Sequence, residues 1–357
     1  TPSFAPPLEG EGPRKRVTDW RAWDSHFGKY FDGSAFKGTR RGAVPVKRFY
    51  TPLNLCWPGD FVKFGQPGYE AEWRAVGAQM VSHFKAKGWT KTRFDLFLNH
   101  KQRFRFFPWD SEEARFPADN DLQRYMATIW KGTFDRATTK PVQFDYTLGT
   151  TWLYDSDIRS DLVNFVDVFI GGGGGLRDNY DQAARLHKLG CQILPCISSG
   201  GLADSTRAAA FSPLMVWMLD GDGYMPRWLS MDGWGEAAWR GKASEKGAST
   251  FLYCGSILGS EETFGAVRMK AQRNSLQMVD QFQMAADRMA GGKKAVKSRV
   301  NQVLGIPFKG WLPTRKGDPK DTARFTEEPP LAGWEKFVPG QIRGLRQLAV
   351  SLASGGK

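Results

Sequence analysis

The stretch EAEWRAVGAQMVSHFKAKGWTKTRFDLFLN (70–99) decides how this chain is read. Trp73, Val76, Met80, Val81 and Phe84 recur at helical spacing, so its first part is a helix with one apolar stripe. Gly88 stops that helix, because glycine adopts the left-handed conformation of a helix terminus without steric cost. RFDLFLN (93–99) then reads as a strand that is apolar on both faces, as a strand buried in a parallel sheet must be.

The same rhythm continues on both sides. VKRFYTPL (46–53) is a strand ahead of the helix, and DLQRYMATIW (121–130) is a second helix with Leu122, Tyr125, Met126 and Ile129 in register. VQFDYTLG (142–149), NFVDVFIG (164–171), CQILPCIS (191–198) and DGYMPRWL (222–229) read as further strands. Helices are predicted over 156–163, 179–190, 204–218 and 264–290. Strands alternating with helices at this spacing predict βαβ units and a parallel sheet. A (β/α)8 barrel of the TIM type has eight strands, and this reading finds six, the first near residue 46. The expected fold is therefore α/β, a (β/α)8 TIM-type barrel lacking or truncated in its first two strands, which are either missing or belong to a portion outside this chain. A doubly wound open sheet is the rival, but no G-x-G-x-x-G opens a helix. Residues 1–44 read as an N-terminal arm and lead-in, with the Pro/Gly/charge-rich 1–17 as arm or linker. Residues 45–292 read as the barrel and 293–357 as a C-terminal extension.

Composition narrows the function classes. The chain has 357 residues, 41% of them hydrophobic, enough for a sizeable core and inconsistent with disorder. Fourteen Trp, 25 Phe and 9 Tyr suit a core together with a groove that stacks on flat, partly apolar ligands. The formal charge of +13 attracts polyanions. Its densest runs, GPRKR (12–16) and GGKKAVKSR (291–299), are short and read as solvated surface, and no helix-turn-helix, zinc-finger or RNA-binding signature accompanies them. Cys56, Cys191, Cys196 and Cys254 form no C-x-x-C pair and read as buried free thiols. No apolar run approaches membrane-spanning length. No cofactor fingerprint, phosphate loop or zinc spacing is present, so no cofactor or metal is expected.

The chemistry is sought in FFPWDSEEARFPADND (106–121), which gathers Asp110, Glu112, Glu113, Asp119 and Asp121 in a basic chain. Either these carboxylates are a solvated loop, or some are acid/base groups aimed into a cleft. Burial among Phe106, Phe107, Trp109 and Phe116 would raise a carboxyl's pKa into the range of a general acid.

The order of five segments carries a resemblance. FGKYFDGSAF (27–36), VPVKRFYTPLNLCWP (44–58), KGWTKTRFDLFLNHK (87–101), FSPLMVWMLDGDGYMPRW (211–228) and GAVRMKAQRNSLQMVDQF (265–282) together resemble the barrel of glycoside hydrolase family 123 and its bacterial relatives. The resemblance implies removal of β-linked N-acetylgalactosamine, with the substrate's own 2-acetamido group attacking the anomeric carbon, a known exception to the two-carboxylate rule. It implies an Asp-Glu pair after the fourth strand, the Asp orienting the acetamido and the Glu protonating the leaving oxygen. Here that place holds Glu112-Glu113-Ala114, which puts Glu113 at the acid position and Glu112 at the position of the Asp. Glu112 is one methylene longer than the Asp it replaces. A periplasmic or secreted location is a further implication.

Around this pair, Asn99 and His100 end the fourth-strand candidate, and strand ends point into the active site of such barrels. Asp110 is a lesser carboxylate candidate. Tyr146 corresponds to a polar, cleft-lining position, its alternative being a core Tyr with a satisfied hydroxyl. Trp57, Trp228 and Trp234 lie near Pro or Gly in loops and read as sugar platforms, whereas Trp217 reads as core. Arg177, just after the five-glycine run 171–175, is placed to meet an anionic substrate group. The reading is a glycoside hydrolase acting on an amino-sugar-containing or anionic glycan. Its rivals are a non-catalytic carbohydrate-binding or assembly protein built on the same barrel, and a nucleic-acid-binding protein using the charge and the aromatics.

Overall fold

The structure, a computed structural model, describes residues 4–98, 109–112, 114, 116–149, 162–198, 206–227, 251–255, 259–316, 326–333 and 338–355. Its central feature is a parallel sheet of six strands, β3 (Arg48–Tyr50), β4 (Arg93–Phe97), β5 (Gln143–Gly149), β6 (Val168–Gly172), β7 (Gln192–Ser198) and β8 (Met225–Arg227), hydrogen-bonded in strict chain order. All six strands are where the hydrophobic pattern predicts them. A doubly wound sheet reverses its strand order at a switch point. This sheet has no reversal, so its winding is that of a (β/α) barrel, with six of the eight strands a closed barrel requires.

The chain divides into two compact units, Thr1–Ile170 with Leu186–Cys191, and Gly171–Arg185 with Gln192–Lys357. One break falls between residues 170 and 171, inside β6, and Leu186–Cys191 returns to the first unit.

In the first unit, the helices α2 (Pro67–Ala86) and α3 (Pro117–Thr133) cover the same face of the sheet. Phe94 of β4 stacks on Phe84 of α2 with ring centroids 4.5 Å apart. Phe144 of β5 meets Phe134 at the end of α3 at 4.3 Å and Phe84 at 6.1 Å. Successive residues of a strand point to opposite faces, so Phe49, Phe94 and Phe144, aligned in register, form one apolar row. Burying each such ring contributes about 1.5–3 kcal/mol. The stop after α2 is as the sequence predicts: Gly88 has φ +68 and the Trp89 N–H returns to the Phe84 carbonyl at 3.0 Å. The short helix α4 (Arg136–Thr139) leads into β5.

The N-terminal segment is not a free arm. It forms a small antiparallel hairpin, β1 (Leu8–Glu9) and β2 (Arg16–Val17), docked on α2. Buried Glu72 accepts from the Gly12 N–H at 3.2 Å and Lys15 Nζ at 2.7 Å, and Gln79 Oε1 accepts from the Val17 N–H at 3.0 Å. Two polar side chains on the helix thus satisfy a backbone that its composition marks as a linker. The helix α1 (Arg21–Phe31) also joins the core, with Phe31 4.9 Å from the ring of Trp89 and 5.2 Å from that of Phe94.

The second unit contains α5 (Gly173–Asp178), most of α6 (Tyr180–Lys188), β7, α7 (Thr206–Met218), β8 and the antiparallel pair β9 (Leu252–Cys254) and β10 (Thr263–Gly265). The long α8 (Val267–Arg288) follows, then α9 (Gly292–Leu304), the pair β11 (Thr314–Lys316) and β12 (Thr326–Glu328), and α10 (Pro339–Ala353). Trp217 of α7 is core, as expected, and its indole N–H donates to Gln283 Oε1 of α8 at 3.0 Å. The segment read as an extension is integral to this core. Val296, Val300 and Leu304 of α9 and Leu345, Ala349 and Leu352 of α10 are buried, and Trp311 stacks on Phe211 at 5.8 Å.

Candidate active site at the ends of β4 and β5

Parallel strands all end on one side of their sheet, so the connections that follow β3 and β4 leave on the same side. The second of these carries the acidic stretch. Its last described part, residues 109–112, 114 and 116, is fastened to α3 through Asp119 and Gln123. Asp119, in the first turn of α3, accepts the Asp110 N–H on Oδ1 at 2.7 Å and the Phe116 N–H on Oδ2 at 2.9 Å. One turn on, Gln123 donates from Nε2 to the Ser111 carbonyl at 2.7 Å and accepts the Tyr146 hydroxyl on Oε1 at 2.6 Å. Asp119, Ser111, Gln123 and Tyr146 are all buried, where hydrogen bonds are least diluted by water.

This fastening sets Glu112 over the end of β5. A side chain at Gly149, the last residue of β5, would meet the Phe97 ring at 2.7 Å and Glu112 Cγ at 3.8 Å. Phe97 in turn packs against Tyr50 at 5.2 Å, so the ends of β3, β4 and β5 are roofed by rings beside this carboxylate. Trp109, three residues before Glu112 in the chain, meets Phe61 at 6.0 Å and Phe64 at 5.6 Å, and Phe64 meets Tyr125 at 5.2 Å. These four rings are half-buried, and Val62 among them is 82% exposed. A sugar ring requires an apolar face to stack on and acceptors for its hydroxyls, and partly exposed rings supply the first of these.

Two residues before Phe97, on the same face of the sheet, lies a buried ionic cluster. Asp95 and Asp145 are directly opposite in register, and each is 1% exposed. Arg48 bridges them, with NH1 on Asp95 Oδ1 and NH2 3.1 Å from Asp145 Oδ2. Arg93 grips Asp145 through Nε and NH2 at 2.5 and 2.6 Å. The Thr147 hydroxyl donates to Asp95 Oδ1 at 3.3 Å, and Asp95 Oδ2 has no partner among the described residues. Burial pushes the Asp95 carboxyl up to about 7. The Asp145 charge acts in the same direction, and Arg48, Thr147 and Arg93 oppose it.

The structure redistributes the residues singled out in the sequence. Glu112 and Asp110 come together on the fastened loop, although the Asp110 contact described is through its backbone. Tyr146 does not line a cleft. It points to the helix side, fully buried with its hydroxyl on Gln123, and burial drives its ionisation far up. Trp57 is not an exposed platform either. Its ring is 3% exposed, and its backbone pairs with Asn54 while the neighbouring Leu55 carbonyl accepts the Tyr69 hydroxyl at 2.9 Å. Arg177 donates from Nε to its neighbour Asp178 at 3.0 Å. Asn99, His100, Glu113, Trp228 and Trp234 lie outside the described residues. Asp119, by contrast, is a structural acceptor, and Asp121 pairs with Arg124 at 2.8 Å on the surface. Of the thiols, Cys191 is buried, Cys196 is half-buried and Cys56 is exposed, contrary to the expectation of burial for that residue. Sequence reasoning missed Phe61, Phe64, Gln123 and Asp95. FVKFGQP (61–67) lies in a strand-to-helix connection, which is the signal that places Phe61 and Phe64 at the strand ends. Nothing local distinguishes Gln123 or Asp95.

Among the described residues no three or more His, Cys, Asp or Glu side chains gather as metal ligands would, and no helix is long and apolar enough to cross a membrane.

No family model matches the chain, and no curated protein matches it. Among solved structures it is similar in part to an endo-β-1,4-mannanase from Thermotoga petrophila, with 11% identity and a TM-score of 0.37, over 61% of this chain and 52% of that one. The chain thus spans about half the length of that enzyme, and a likeness this distant carries no argument about chemistry.

Proposed function

We propose that this chain acts on glycans, cleaving a glycosidic bond at the ends of β4 and β5. Glu113 serves as proton donor, and Glu112 orients a 2-acetamido group. As the bond from C1 to the leaving oxygen breaks, that oxygen takes the Glu113 proton, the acetamido oxygen closes on C1, and water later reopens the ring so formed. The substrate is an amino-sugar-containing glycan, and the +13 charge favours one that also bears anionic groups. The observation that carries the reading is the position of Glu112, held over Gly149 beside the Phe97 ring at a strand end, on the loop that also carries half-buried Trp109.

The test is turnover of aryl N-acetyl-β-hexosaminides together with binding to a glycan array. The expected result is hydrolysis that Glu113→Gln abolishes while glycan binding persists. Binding without hydrolysis in the unaltered protein would instead favour the carbohydrate-binding reading, in which the barrel presents the same surface without the proton transfer. Absence of both would overturn the glycan reading altogether.

A further inference from the structure

Tyr146 and Gln123 are buried polar residues that touch no surface, yet they join in a line that ends on the acidic loop. The Tyr146 hydroxyl donates to Gln123 Oε1 at 2.6 Å, and Gln123 Nε2 donates to the Ser111 carbonyl at 2.7 Å. Ser111 immediately precedes Glu112. A glutamine amide has an oxygen that only accepts and a nitrogen that only donates. The Ser111 carbonyl only accepts, so it takes the Nε2 end of the amide and leaves Oε1 to accept the Tyr146 hydroxyl. An α3 residue used only for packing would be apolar here, as Met126 and Ile129 of the same helix are. Asp119 holds the loop at Asp110 and Phe116, on either side of the Ser111 contact, so the backbone around Glu112 is pinned at three points.

We infer that Tyr146 and Gln123 are positioning residues: they set the height of the Glu112-bearing loop above the end of β5. Tyr146 thus serves the site from behind, through the amide. The inference rests on the glycan-cleaving reading for its catalytic meaning, but its geometric content stands apart. A loop shifted by about 1 Å can lose two orders of magnitude in rate while its residues remain intact.

Two measurements on Tyr146→Phe and Gln123→Met separate the two claims. The first is amide hydrogen exchange over residues 109–116. The second is kcat and KM on whichever hexosaminide the unaltered chain turns over. Phe144→Leu serves as control, since Phe144 sits on the same strand and the same helix-facing side but makes no bond to the loop. Both variants are expected to speed exchange at Asp110 and Phe116 by about tenfold or more, and to lower kcat about tenfold with KM changed less than about twofold. The control, at a similar melting temperature, does neither. If Gln123→Met fails to fold, Tyr146→Phe alone decides, because it removes one oxygen and leaves the ring. Unchanged loop exchange in Tyr146→Phe, or equal change in the control, overturns the positioning role. Faster loop exchange in a protein with no glycan activity upholds the fastening and sinks the proposed function instead.

Discussion

At the scale of single residues, Asp95 ties stability to pH. Its carboxyl is raised from 3.8 to about 7, with burial as the first cause. The folded chain therefore keeps a proton that the unfolded chain releases between about pH 4 and pH 7. Stability from this group is fully present below pH 4 and is lost as pH rises through 7, by on the order of 4 kcal/mol in total. Asp95→Asn should flatten that decline, so its urea midpoint relative to the unaltered protein rises between pH 5 and pH 8. A parallel decline in both proteins would show that Asp95 titrates at its ordinary value. Gly149 makes a second residue-scale case. An added methyl would lie 2.7 Å from the Phe97 ring and 3.8 Å from Glu112 Cγ. Gly149→Ala should cost about 1–3 kcal/mol by overpacking and weaken glycan binding or turnover, whereas Phe97→Leu in the same background should restore part of both. Thermal melts and a binding isotherm measure the pair.

Among the elements, α3 does the most for the site. Proline at its first position fits the fixed φ of a helix start. Asp119 in its first turn answers two backbone amides of the preceding loop, and Gln123 reaches the same loop from the next turn. The apolar stripe of α3, with Leu122, Met126 and Ile129, was plain in the sequence because it repeats every three or four residues. Its polar contribution was hidden because Gln123 finds its partners on the loop and on β5, 12 and 23 residues away respectively. At the other end of the chain, α9 and α10 bear on the status of residues 293–357. Since α9 and α10 bury Val296, Val300, Leu304, Leu345, Ala349 and Leu352, a chain ending at residue 292 should aggregate or melt well below the intact protein. A cooperative melt at an unchanged temperature would show that the core does not need residues 293–357.

For the whole molecule, the charge and the proposed site make separable predictions. The +13 charge draws polyanions by counterion release, and such binding weakens steeply with salt. Stacking on Trp109, Phe61 and Phe64 does not involve ions. Affinity for a neutral amino-sugar oligomer should therefore change little between 50 and 200 mM salt, on the scale where several phosphate contacts lose about 10³-fold or more. Calorimetry at the two salt concentrations reads this directly. A steep salt slope with no preference among sugars would favour the nucleic-acid reading.

Helical and strand periods are local, so the sequence alone determined that six strands alternate with helices, where each lies to within a few residues, and that Gly88 ends α2. It also located the acidic stretch after the second of these strands, since a connection inherits its place from the strand before it. Which side chains of that stretch and its surroundings are buried was decided only in three dimensions. Tyr146 and Trp57 had the composition of cleft residues and proved to be core. Phe61, Phe64 and Glu112 lie in the connections after β3 and β4, which leave a parallel sheet on the same side. Asp95 and Asp145, 50 residues apart, face each other only through strand register. Burial and partnership are properties of contacts between distant segments, and no local pattern encodes them.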